Sequence, residues 1–212
     1  GIVYFIMKLR SGETVTVSLR FLLTAYLYLA SIVGLLVMVN GLALLLNFSF
    51  SIPLGKEFSY RAEPYYYYPA EPQPAKEAPR QLTPTEQKER RAKLLEIGSK
   101  EGILNGFINL FFGALVWGVH VVLRKVLLTK EETRGSLLNK AYLIILLLIF
   151  GAGSIVNLPA GTYDTLRYYV VERLDDLQYI NPPGPKLSSA IVFMPIWIYY
   201  LFATIREVRR SE

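Results

Sequence analysis

Four stretches of this chain carry no charged residue: Phe21 to Gly55, Gly102 to Leu123, Ala141 to Tyr163 and Leu187 to Ile205. A helix needs roughly 20 apolar residues to cross the hydrocarbon of a bilayer, and each stretch is about that long or longer. The expected fold is an all-α integral membrane protein with four transmembrane helices. None of the four stretches contains Asp, Glu, Lys or Arg, the side chains on which proton and ion pathways through a membrane usually depend.

Composition narrows the function further. The chain is 52% hydrophobic and 19% charged, with the charges confined to loops and tails. The absence of cysteine excludes disulfides, thiolate catalysis and cysteine-ligated metals. A net charge of +6, placed mostly in segments flanking the spans, suits lipid headgroups. No basic stripe points to nucleic acid.

One membrane domain is expected over 1–212. An N-terminal flank (1–20) precedes the first span (21–48), and a long Pro/Tyr-rich loop with an amphipathic helix (49–101) leads to the second span (102–124). A basic loop (125–140), a third span (141–160), a surface helix and turn (161–186), a fourth span (187–206) and a tail (207–212) follow. The apolar run after Arg20 is too long for a cleaved leader, so the first span should stay as an anchor. Met7 offers an alternative start, and Thr14 to Val17 alternate as in a short strand. Lys and Arg are densest in the short segments around Arg20, between Arg124 and Lys140, and from Arg206 to Arg210. That density places both termini in the cytoplasm.

Within the first loop, Pro64, Pro69, Pro72, Pro74 and Pro79 favour an extended path, and Tyr65, Tyr66, Tyr67 and Tyr68 form a candidate partner-binding patch. A solvated linker is the plainer alternative. Thr83-Pro84-Thr85-Glu86 is a capping box that starts a helix from Pro84 to about Ile97. In the last loop, Leu166, Tyr169, Val170, Leu174 and Leu177 share one stripe, predicting an amphipathic helix on the outer membrane face. Its acids Asp164, Glu172, Asp175 and Asp176 read as a solvated face. Asn181 to Pro185 then ends it.

The chain also repeats itself. Ala25-Tyr26-Leu27 aligns with Ala141-Tyr142-Leu143, and Val116-Trp117 corresponds to Ile196-Trp197. Two similar helix hairpins forming a four-helix membrane bundle account for this. SLRFLLTAYLYLASIVGLLVMVNGLALLL, LVWGVHVVLRK and SLLNKAYLIILLLIF resemble an uncharacterised family of bacterial four-helix membrane domains. The resemblance covers the spans but not the Pro/Tyr loop. It implies a duplicated topology without an activity and, with the positive flanks, a bacterial inner membrane.

His120, the single histidine, stands with Trp117 and Arg124 on one face of the second span. The first reading is an interfacial histidine bonded to a backbone or amide group. Trp117, Arg124, Trp197 and Arg206 then serve as membrane-interface anchors. Axial ligation of a haem or a chlorophyll-type pigment by His120 is the alternative. Asn40, Asn47, Asn105, Asn109 and Asn157 are candidates for hydrogen bonds across helices, and Gly34, Gly41, Gly102, Gly106 and Gly113 for close packing. With no nucleophile–base pair, metal cluster or intramembrane acid, the expected function is non-catalytic. The chain would be an integral subunit that packs against and stabilises a larger membrane complex, with other membrane subunits and bound lipids as partners. A small transporter or channel ranks last, for want of an ionisable group at depth.

Overall fold

The computed structural model describes residues 18–61, 83–129, 136–170 and 181–210. Five helices occur there, in the order α1 (Leu19–Leu54), α2 (Lys56–Ser59), α3 (Pro84–Leu127), α4 (Leu137–Val170) and α5 (Gly184–Arg209), and no strand occurs among the described residues. All but α2 are long and apolar enough to cross a membrane. Gly1 to Val17, the Tyr65–Tyr68 patch and residues 171–180 lie outside the described residues.

Local chemistry sets the helix ends. The Ser18 hydroxyl accepts the Phe21 N–H at 3.2 Å and so caps α1. At α3 the capping box forms as its sequence predicts, with Glu86 N–H donating to Thr83 Oγ1 and Thr83 N–H donating to Glu86 Oε2. Gly55 ends α1 at φ 92°, a backbone conformation that an L side chain resists. The chain there enters the short α2, where the sequence predicts loop.

Two expected boundaries are absent. The Pro84–Ile97 helix and the second span are a single 44-residue helix. At 1.5 Å per residue it is about 66 Å long, twice the roughly 30 Å of hydrocarbon, so its charged N-terminal half projects from the membrane. Gly98 and Gly102 do not break it, because a helical glycine costs only about 1 kcal/mol and the Tyr60 ring packs on both. Likewise α4 passes through Pro159 and runs to Val170, so the expected surface helix does not start separately at Asp164. Asp164 is therefore not on a solvated face. It shares a buried stripe with Phe150, Ser154 and Gly161.

α1 is the central helix, packed chiefly along α3 and also against α5 and α4, while α4 packs along α5. The α1–α3 seam is built from alternating glycines. A Cβ at Gly34 would meet the Trp117 backbone, one at Gly113 the Met38 backbone, one at Gly41 the Leu110 backbone and one at Gly106 the Leu45 side chain. Position numbers rise on α1 as they fall on α3, so the helices are antiparallel. The seven-residue spacing of Gly34 and Gly41, and of Gly106 and Gly113, keeps the small residues on one seam and lets the backbones approach. Leu27, Leu35, Val39, Leu146 and Phe150 fill the core between α1 and α4.

Candidate functional site

The start of α1, the end of α3, the start of α4 and the end of α5 converge at one end of the bundle, and their polar aromatic residues meet there. His120 Nδ1 lies 2.7 Å from the Val116 carbonyl oxygen, one turn back on α3, and so donates to it. In that tautomer Nε2 accepts from the Tyr26 hydroxyl at 3.2 Å, and the two rings stand edge to face with centroids 5.5 Å apart. The backbone bond anticipated for His120 is present. Its second partner is a tyrosine of α1.

The other pair of helices carries a similar contact. Tyr142 of α4 and Tyr200 of α5 place their hydroxyls 3.3 Å apart. His120 follows Trp117 by three residues, as Tyr200 follows Trp197, and Tyr26 and Tyr142 are the tyrosines that align in the expected repeat. Both tryptophans meet a glycine, though differently: the Trp117 backbone lies against Gly34, and the Trp197 indole lies over Gly151.

Between these pairs lies Arg124. Its guanidinium carbon is 4.2 Å from the centre of the Tyr28 ring and 4.7 Å from that of Tyr142. The Tyr28 hydroxyl donates to Asn139 Oδ1 of α4 at 3.4 Å, so one cluster ties together α1, α3, α4 and, through Tyr200, α5. Arg124, one of the expected interface anchors, points inward toward these rings. Nε and Nη1 are buried without a hydrogen-bond partner, as is the indole Nε1 of Trp117. Each ring face contributes about 0.5–2 kcal/mol to a cation. That is less than the several kcal/mol needed to withdraw an ion from water, so the cage alone leaves the charge under-compensated. Of the other anticipated anchors, Arg206 is exposed on α5 and Trp197 is half-buried.

The opposite end is held by polar bonds. Asn47 Nδ2 donates to the Ser59 carbonyl at 3.1 Å, and Ser59 Oγ donates to the Asn47 carbonyl at 2.7 Å, fastening α2 back onto α1. Gly184 at the start of α5 sits against this knot, with no room for a Cβ. Lys186 Nζ lies 2.6 Å from Asp164 Oδ2, with the aspartate buried. Asn47 thus makes a contact of the kind anticipated. Asn157 bonds back to its own helix at Gly153, while Asn40 and Asn105 are exposed.

Sequence reasoning found His120, Trp117 and Arg124 but missed Tyr28, Tyr142, Asn139 and Tyr200 around them. The available signal was depth: Tyr28, Tyr142 and Tyr200 all lie toward the ends of their apolar stretches, within about two turns of them. No group of three or more metal-ligating His, Asp or Glu side chains forms among the described residues. Comparison with protein-family models, with curated proteins and with solved structures gives no match, so the resemblance to bacterial four-helix membrane domains rests on the quoted span residues alone.

Proposed function

We propose that this protein is a non-catalytic membrane subunit that packs against a larger integral membrane protein, and that Asn40 lies in the contact. Asn40 is exposed near the middle of α1, and its side chain forms no hydrogen bond among the described residues. An amide unpaired in an apolar medium costs roughly 2–7 kcal/mol, so facing lipid is unfavourable and facing a polar group of another helix relieves the cost. Tyr26, Leu29 and Val33 are exposed on the same side of α1 and extend the contact surface. The Tyr65–Tyr68 patch would add a contact outside the membrane. Two similar hairpins, both termini in the cytoplasm and a bacterial inner membrane complete the reading. The paired contacts Tyr26–His120 and Tyr142–Tyr200 support the duplication, and the Lys/Arg density supports the orientation.

Axial ligation of a haem or chlorophyll-type pigment is the second reading. Donation from Nδ1 to Val116 leaves the Nε2 lone pair for a metal, which favours it. Ligation would require Nε2 to give up Tyr26.

Purification from the native membrane in a mild detergent tests both readings. The subunit reading expects a larger integral membrane protein to co-purify, Asn40→Leu to release it, and the visible spectrum to be unaltered by His120→Asn. A chain that purifies alone, or a band that disappears with His120, contradicts it.

A further inference from the structure

We propose that Arg124 binds the phosphate of an anionic membrane lipid at the basic end of the bundle. Arg124 immediately follows the charge-free stretch Gly102 to Leu123, which sets it at headgroup depth. It forms no hydrogen bond or ion pair among the described residues, and its Nε and Nη1 are sealed from solvent. The residue as a whole is only half-buried. The Tyr28 and Tyr142 rings hold it in place, and their hydroxyls are engaged with Asn139 and Tyr200, so the cage supplies a fixed cation without supplying an anion.

Charge and depth both select a lipid as the source of that anion. Arg20, Lys125, Lys140, Arg206 and Arg209 lie at the same end, against Glu207 as the acid among the described residues there. Such a field draws the anionic lipids of a cytoplasmic leaflet. A guanidinium meets a phosphate with several N–H groups in one plane, and a lipid phosphate is tethered at this depth by its own chains.

Native mass spectrometry of the intact protein, released from a nonionic detergent, reads the binding directly. Phosphatidylglycerol is expected to bind, and Arg124→Gln to weaken it by about ten-fold, whereas Arg209→Gln, an exposed charge at the same end, changes it by less than about two-fold. Equal losses in the two variants would overturn the site in favour of a diffuse basic surface. Inorganic phosphate is the second arm: competition at millimolar concentration would overturn the lipid assignment and point to a free anion. If Arg124→Gln does not fold, a photoactivatable phosphatidylglycerol is cross-linked to the wild-type protein. Adducts centred on the end of α3 and the start of α4 support the site, and adducts spread evenly around the bundle refute it.

Discussion

The guanidinium of Arg124 on α3 rests 4.2 Å from the centre of the Tyr28 ring on α1, and the hydroxyl of that same tyrosine reaches Asn139 on α4. A cation on one helix is thereby held by a ring from a second, which is itself fastened to a third. α3 packs mainly along α1, with a smaller contact to α2, so this cluster is where it engages α4.

Replacing Tyr28 separates the two roles of its ring. Tyr28→Phe keeps the ring but loses the hydroxyl and its bond to Asn139, and is expected to cost at most about 1 kcal/mol. Tyr28→Leu also removes the ring face from Arg124 and should cost about 0.5–2 kcal/mol more. Equilibrium unfolding in mixed detergent and SDS micelles measures both. Equal costs would show that the cation–ring contact contributes nothing.

The glycine seam predicts opposite outcomes at two nearby positions. Gly113→Ala drives a methyl group into the Met38 backbone and should destabilise the protein by about 1–3 kcal/mol. Gly118→Ala meets nothing within 4 Å and should be neutral or stabilising by up to about 1 kcal/mol. The same unfolding assay compares them, and similar effects would place the α1–α3 contact elsewhere.

At the far end, Asp164→Asn leaves the Lys186 ammonium without its partner. Because Lys186 is more than a third exposed, the expected loss is discounted to about 1–2 kcal/mol. Lys186→Met in the Asp164→Asn background should recover much of it. Strict additivity of the two substitutions would mean that the pair is not coupled.

The cap of α3 gives a pH dependence with a definite sign. Hydrogen bonds from the Thr83 backbone N–H and hydroxyl hold the Glu86 carboxyl below the usual carboxylate range. A depressed value means that the contribution is present above the unfolded pKa and is lost as the pH falls through the folded one. Amide hydrogen exchange in the first turn of α3 should therefore accelerate relative to mid-helix amides on acidification, and Glu86→Gln should flatten that response. An unchanged pH response in Glu86→Gln would remove the carboxylate from the cap.

The elements legible in the sequence were those written in local chemistry. Charge-free length marked the four spans, Thr83 to Glu86 marked the start of α3, and Gly34, Gly41, Gly106 and Gly113 marked the close seam. The features missed depend on what α1, α3, α4 and α5 bring together. The buried pair Asp164–Lys186 joins residues far apart in the chain, and a carboxylate at the end of an apolar stretch looks solvated until a lysine packs against it. Tyr28 and Tyr142 read as ordinary apolar span residues until Arg124 is placed between them. The continuity of α3 past Ile97 was hidden by glycines whose cost tertiary packing offsets.

The proposed subunit role depends most directly on what covers Asn40. A photo-reactive amino acid placed at position 40 and activated in the native membrane, with position 111 on the exposed side of α3 as reference, identifies the neighbour by mass spectrometry. An adduct at position 40 with a different integral membrane protein, and lipid adducts alone at position 111, is the predicted result. Lipid adducts alone at position 40, or an adduct with a second copy of this chain, would contradict it.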